Sequence, residues 1–387
     1  MRHWHIITGE YPPQPGGVSD YTHLVARELT HSGDEVDVWA PECLGSQDDL
    51  ETGIRVHRLP GHFGPRALAV LDRAIASGRH ERILVQYVPH AFGLKAMNLP
   101  FCYWLYARRR WNIDVMFHEV AFARREIQSL RHNLLGEVTS LMAALVARSA
   151  RRIFVASQAW ESKLRGLSRN LKPIQWLPVS SNIPLIHDPK ATAAAKARYA
   201  KAGPLVGHFG AHGGKIRSYL KTALPQLLDA CQASVLLLGR GSSAFRDELA
   251  ERHPAAASRL HGAGELPAEA LSHHLGACDL MIQPYPDGIS ARRSSAMAVL
   301  AHGRAVVTTA GHLTEPLWIQ CRAVATVPAN DPAALAPLVA SLLKVCRERQ
   351  RLGLAATRLY QERFDVHHTI RALRTTHEDC DSNLDQA

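Results

Sequence analysis

Residues 279–309 read DLMIQPYPDGISARRSSAMAVLAHGRAVVTT: a strand ending at Pro284, an acidic turn at Asp287 and Gly288, a helix from about Ser294 to His302, and a second strand. Short apolar runs separated by a helix-length segment are the signature of strand–helix–strand units in a parallel sheet. The alternation continues in both directions. HWHIITG (3–9), DEVDVWAP (34–41), RILVQYV (82–88), IDVMFHEV (113–120) and RRIFVAS (151–157) form a first set of strands, and PLVGHFG (204–210), SVLLLGRG (234–241), DLMIQPYP (279–286), RAVVTTAG (304–311) and AVATVP (323–328) form a second. Between the sets, WLPVSSNIPLIHDPK (176–190) holds three prolines and a Ser/Asn cluster that break regular structure. The expectation is an α/β chain of two doubly wound, Rossmann-like domains, 1–183 and 184–364, followed by a C-terminal helix and tail at 365–387. Ligands of such sheets sit at the carboxyl ends of the strands, here in a central cleft that the domains face.

Composition excludes several classes. With 46% hydrophobic and 21% charged residues the chain can bury a large core, and none of its apolar runs approaches the roughly 18 residues of a membrane span. MRHWHIITGEYPP lacks the apolar core of a signal peptide, and the seven cysteines are scattered without a CxxC pair. Both features point to a reducing cytoplasm. The 22 histidines include close pairs, His3 with His5 and His273 with His274, but no helical i,i+4 pair with a third ligand, so no metal site is expected. The net charge of +10 calls for an anionic partner, which could be nucleotide phosphates, an acidic membrane surface or nucleic acid. The last has no recognisable module or aromatic platform here.

A helical period over about 125–150 places Ile127, Leu130, Leu134, Val138, Leu141 and Leu145 on one stripe, expected to face the core. Around it, residues 99–152 contain nine arginines and four acidic residues. That is either a solvated basic surface or a patch for an anionic membrane or acceptor.

Three stretches carry candidate chemistry. In YPPQPGGVSDYT (11–22), Gly16 and Gly17 turn the chain into a helix expected over Val18–Leu29, whose free N–H groups suit an anion. VGHFGAHGGKI (206–216) repeats the device with Gly207, Gly210, Gly213 and Gly214 before Lys215; it is neither a Walker A loop nor GxGxxG. In 287–295, Ser290, Ser294 and Ser295 are candidate caps for a helix start flanked by Arg292 and Arg293, and cations at that end imply a bound anion.

Taken together these stretches resemble the retaining glycosyltransferases of the GT-B fold, the "glycosyltransferase group 1" family. YPPQPGGVSDYTHLVARELTHSGDEVDVWAP looks like that family's opening, PVSSNIP like its interdomain link, and LGACDLMIQPY with AMAVLAHGRAVVTT like its donor domain. The resemblance covers nearly the whole chain. It implies metal-independent transfer of a sugar from a nucleotide diphosphate sugar to a glycan, lipid-linked or small-molecule acceptor, with no cofactor and with the C-terminal helix packing back on the first domain. It also implies site roles. Gly16 and Gly17 would close over the donor's phosphates, and Lys215 would hold the diphosphate, with Gly210, Gly288, Ile289, Ser290, Arg292, Arg293 and Ser295 around the donor. His118 would lie near the transferred sugar as a catalytic residue with Asp287, and Asp20 and Glu119 would be acceptor-side candidates.

The chain departs from the family at its paired glutamates. Alignment of SSAM with the family's EAM puts Asp287 at the first and Ser295 at the second, so the carboxylate that grips the ribose is missing. Arg292 and Arg293 are expected to compensate through the phosphates. Two further readings remain, a degenerate sugar-nucleotide-binding regulatory protein and another GT-B enzyme such as an epimerase or phosphorylase. Neither base, sugar nor acceptor is legible. The expected location is the cytoplasm, with peripheral association on the inner membrane face.

Overall fold

The structure is a computed structural model, and it describes residues 1–45, 50–51, 53–75, 81–122, 129–201 and 203–375. It divides into two compact units: Met1–Pro178 with the chain from Val366, and Val179–Asp365. The division falls at 178/179 where the sequence suggested 183/184. The reason is local: Val179 N–H donates to Ala291 O at 3.0 Å, and Ser181 N–H to the Tyr360 hydroxyl at 3.3 Å, which ties the link to the second unit.

The first unit holds β1 (His3–Thr8), β2 (Glu35–Pro41), β3 (Leu50–Glu51), β4 (Ile54–Leu59), β5 (Arg82–Tyr87), β6 (Ile113–Phe117), β7 (Arg152–Val155) and β8 (Ile174–Trp176), ordered β3-β4-β2-β1-β5-β6-β7-β8. Only the two-residue β3 pairs antiparallel. The second unit holds β9 (Leu205–Phe209), β10 (Ser234–Leu238), β11 (Leu260–Gly262), β12 (Leu280–Gln283), β13 (Val306–Ala310) and β14 (Ala325–Pro328), ordered β11-β10-β9-β12-β13-β14 and all parallel. Strand order reverses beside β1 in the first sheet and beside β9 in the second. At such a reversal the connections leave to opposite faces, and a crevice opens at the carboxyl ends. Helices cover both faces, so β10 (SVLLL) is buried throughout. In the first unit Gly9 lets the chain after β1 pass close to the segment after β5, since a Cβ there would lie 2.4 Å from Ala91 O.

The helix Gly17–His31 buries Tyr21, Leu24, Val25 and Leu29 and ends where Gly33 takes the left-handed conformation at φ 82°. The Leu130–Ser149 helix follows its expected orientation at Val138 and Leu145, which pack partly buried on the core, and departs from it at Leu130, Leu134 and Leu141. Its buried residues are mostly small, among them Gly136, Thr139, Ser140, Ala143 and Ala147, whereas Leu130, Leu134 and Leu141 are exposed. Small residues let this helix sit close to its neighbours, and the larger leucines are left outside. Arg125 and Ile127 of the expected helix lie outside the described residues.

The C-terminal helix Val366–Arg374 packs on the first unit, against the Gly17–His31 helix. Its last carbonyls would be unsatisfied, and arginines of the first unit meet them. Arg152 donates to Ala372 O, Leu373 O and Thr375 O, each at 2.9 Å, Arg82 to Leu373 O at 2.5 Å, and Arg2 to Arg374 O. Arg152 also grips the buried carboxylate of Asp114 through two hydrogen bonds, one of them 2.9 Å from Nε. Arg152→Met leaves the Asp114 charge buried and the carbonyls unpaired. We expect a loss of about 3 kcal/mol or more in urea denaturation, and unchanged stability would show that this tie contributes nothing.

Candidate active site

In the first unit, the segment after β1 runs through Gly16 and Gly17 into the helix. Glu10 reaches back across this turn, and its Oε1 accepts from Val18 N–H at 3.0 Å and Ser19 N–H at 3.1 Å. The donors that the sequence reserved for a ligand are therefore taken up by the chain's own carboxylate, which also complements the helix dipole. The two glycines differ in their surroundings. A Cβ at Gly16 would fall 2.5 Å from the Glu10 carboxylate, while one at Gly17 would meet nothing within 4 Å.

His118 follows β6 and is buried. Its Nε2 lies 2.7 Å from Gln86 Oε1 on β5, its ring meets Tyr21 edge-on at 5.1 Å, and its carbonyl accepts from Trp160 Nε1 at 2.8 Å. Because an amide oxygen only accepts, the proton sits on Nε2 and leaves Nδ1 with a lone pair. Burial lowers the pKa to about 3, so the imidazole is neutral at physiological pH and cannot serve as a cationic acid. Asp20 is exposed in the first turn of the Gly17–His31 helix. Glu119 is half-buried, with His90 Nδ1 at 3.9 Å.

In the second unit, the loop after β9 leads into the helix Gly214–Ala230, with Lys215 exposed in a first turn that holds no acidic residue. Gly210 has φ 152° and Gly214 φ 51°. A Cβ on Gly239, which follows β10, would be 2.6 Å from Gly210 O, so the two loops touch through backbone. Two buried imidazoles brace this loop. His212 Nδ1 donates to Arg240 O at 3.3 Å, and its Nε2 lies 2.9 Å from His208 Nδ1. Burial keeps both neutral, lowering His212 to about 4 and His208 well below its ordinary value.

The turn after β12 stands beside this loop. Asp287 Oδ2 accepts from Arg292 Nη2 at 3.2 Å and Arg293 Nη2 at 3.3 Å, and the Arg293 guanidinium lies 4.7 Å from the Tyr285 ring centre. The cations that seemed misplaced thus share an internal anion, and the trio keeps one net positive charge. Ser290, Ser294 and Ser295 make no side-chain cap on the helix Ser294–Ala301, contrary to expectation. Instead Ser295 Oγ pairs with the Tyr285 hydroxyl at 3.0 Å, and Ser290 Oγ is buried. Ile289 is also buried, with its N–H on Thr309 O at 2.7 Å, so neither Ile289 nor Ser290 offers an exposed side chain.

Gly288 is a structural requirement: φ is 87°, and a Cβ would lie 2.2 Å from Gly311 N. Gly210 and Ser295 are neighbours, the Ser295 Oγ lying 3.9 Å from where a Gly210 Cβ would be. The phenol of Tyr219, on the Gly214–Ala230 helix, is pushed up by burial and by the Asp287 charge. Gly210, Lys215, Asp287, Arg292, Arg293 and Ser295 are thus gathered at the carboxyl ends of β9 and β12.

Sequence reasoning missed Glu10, Gln86 and Glu315. The last is buried, accepts from Ala291 N–H at 3.1 Å and Trp318 Nε1 at 2.8 Å, and pins the turn from behind. Among the described residues one trio has metal-ligand geometry: His3, His5 and Glu81, with ligand atoms within 4.8 Å. It lies at the amino ends of β1 and β5. Trp39 Nε1 donates to His5 Nδ1 at 3.1 Å, which places the His5 proton on Nε2, the atom 2.7 Å from Glu81 Oε2. That imidazole donates to the carboxylate and has no lone pair left for a metal.

Residues 16–180 match the family described as glycosyl transferase 4-like domain. No curated protein sequence matches the chain. Among solved structures, sucrose-phosphate synthase from Thermosynechococcus elongatus is similar at TM-score 0.74 with 16% identity, covering 95% of this chain and 96% of that one. A glycosyltransferase from Rickettsia africae gives 0.72 with 13% identity and 96% of both chains, and Anabaena HepE in complex with UDP and glucose gives 0.67 with 14%, covering 96% and 98%. The chain therefore has the GT-B glycosyltransferase fold, and the stretch that is similar to a glycosyl transferase 4-like domain includes Gly16, Gly17, Asp20, His118 and Glu119.

Two predictions follow from this geometry. Gly17→Ala has room and should melt like the parent, whereas Gly288→Ala should lose more than about 1 kcal/mol through its backbone strain alone; equal melting temperatures for these two variants would contradict the geometry. For His118 the folded pKa lies below the unfolded value of 6.5, so its contribution is complete above pH 6.5 and is lost as pH falls toward 3. Relative to His118→Asn, the parent should lose about 2 kcal/mol between pH 7 and pH 5 in urea denaturation, and a pH-independent difference would show that the ring is not held neutral.

Proposed function

We propose that the protein is a retaining, metal-independent glycosyltransferase that takes its sugar from a nucleotide diphosphate sugar. The observation that carries this reading is the gathering of a glycine loop, Lys215 and the Arg292–Arg293 pair at the switch point of the second sheet. In this reading Gly210 lets the diphosphate approach the backbone, and Lys215 and the two guanidiniums take up the negative charge that grows on the leaving phosphate. Asp287 orients both arginines and faces the sugar. Ser295 offers the ribose one hydroxyl, already shared with Tyr285, so donor affinity depends on the phosphate contacts. Neutral His118, with its Nδ1 lone pair, accepts a hydrogen bond from a sugar hydroxyl. Asp20, exposed, and Glu119, half-buried, are acceptor-side groups on the first unit.

That HepE has been solved with UDP and glucose makes UDP-sugars the first donors to try. The acceptor is a glycan, a lipid-linked sugar or a small molecule, and the protein acts in the cytoplasm. Serine at the position of the ribose carboxylate supports a second reading, a sugar-nucleotide-binding regulatory protein.

The test is turnover of UDP-, GDP- and ADP-sugars, following nucleoside diphosphate release and the anomeric configuration of the product by NMR. The expected result is transfer with retention. Inversion would overturn the retaining mechanism, and tight binding without turnover on any acceptor would favour the regulatory reading. Arg292→Ala and Arg293→Ala should each weaken donor binding by about tenfold or more, as the loss of a charge-assisted hydrogen bond requires. Unchanged affinity in both would remove the arginines from the donor site.

A further inference from the structure

The Leu130–Ser149 helix turns its large apolar side chains to solvent. Leu130, Leu134 and Leu141 are 89%, 59% and 52% exposed, and their spacing puts them within about 40° of one helix face. The Leu99–Ala107 helix packs beside it and adds Tyr103, 64% exposed. Immediately before that second helix, Leu94, Lys95 and Ala96 all take left-handed φ values of 47°, 54° and 68°. This conformation is costly for residues with a Cβ, and it holds Leu94 and Lys95 out in solvent.

The charges around these groups are one-sided. Arg109 and Arg148 lie 5.0 and 5.6 Å from the same Tyr106 ring, bridging the ends of the two helices. Arg110, Arg131 and Arg151 are exposed nearby in sequence, and the one exposed carboxylate of these elements, Glu137, stands on the leucine face between Leu134 and Leu141. Arg108 is excluded from this set, since it pairs with Asp72.

We propose that this face of the first unit docks on an anionic lipid bilayer. The leucines and Tyr103 enter the headgroup region, while the arginines and Lys95 extend along the surface to lipid phosphates. Charge decides the occupant. Exposed leucines alone would suit any apolar partner, but six exposed cations, Lys95, Arg109, Arg110, Arg131, Arg148 and Arg151, against the single carboxylate of Glu137 suit a surface that is apolar within and anionic at its rim. The proposal stands independently of the donor site.

The experiment is co-sedimentation of the full chain with phosphatidylcholine vesicles prepared with and without phosphatidylglycerol, in the absence of any sugar nucleotide. The chain should bind the anionic vesicles, bind the neutral ones far less, and be released by salt. Leu134→Glu with Leu141→Glu, and separately Arg131→Glu with Arg148→Glu, should each lower binding about tenfold or more while leaving the thermal melt unchanged. Should the glutamates unfold the chain, Leu134→Ser with Leu141→Ser carries the same expectation. Absence of binding to anionic vesicles, or equal binding by folded variants, would overturn the proposal. So would a concentration-dependent dimer that the leucine variants dissolve and vesicles leave intact, because the face would then join two copies of the chain.

Discussion

The carboxylate of Asp287, shared by Arg292 and Arg293, is the interaction around which the second unit's site is arranged. Two guanidiniums in a tight turn at a helix start repel one another and the helix dipole, and one carboxylate between them relieves both. The backbone is built to bring it there. Gly288 turns at positive φ with no room for a Cβ, Ile289 N–H is anchored on Thr309 O, and buried Glu315 holds Ala291 N–H. What emerges is a turn with one net positive charge, beside a glycine loop that ends in a lysine. A diphosphate is the kind of ligand such a pair of loops attracts.

The first unit solves the same electrostatic problem differently. Its helix start is satisfied by Glu10, so the glycine pair there is not an open anion seat; Gly17 instead leaves space where a side chain would otherwise stand. His118 is held neutral by burial and oriented by Gln86. Each unit thus uses an internal carboxylate to settle its helix start or its turn, and the turn of the second gathers two guanidiniums on one carboxylate. That difference is the physical basis for proposing that the donor binds the second unit.

The sequence disclosed what depends on local pattern. The ten strands it suggested are present, because buried parallel strands are unbroken Val/Ile/Leu runs. It missed β4, where Arg55 and His57 alternate with Ile54 and Val56 to meet Asp37 of β2, and the short β3, β8 and β11. The leucine stripe of the Leu130–Ser149 helix has the period of a core helix, and period alone cannot say which side faces the core. Packing by Gly136, Ala143 and Ala147 settled that, and their small size gives a weak signal in a hydrophobicity pattern. The partners Glu10, Gln86 and Glu315 were illegible for a related reason. Each acts across a fold contact, on residues 8, 32 and 24 positions away, and no local spacing rule reaches that far.

The most direct test of the central claim is calorimetric titration of the protein and of Lys215→Ala with a panel of UDP-, GDP- and ADP-sugars. One nucleotide class should bind the parent, and the lysine variant should bind it at least about tenfold more weakly, as the loss of a charge-assisted contact to phosphate requires. Binding that survives the substitution unchanged, or no binding of any sugar nucleotide to the parent, would contradict the assignment of the donor to the second unit.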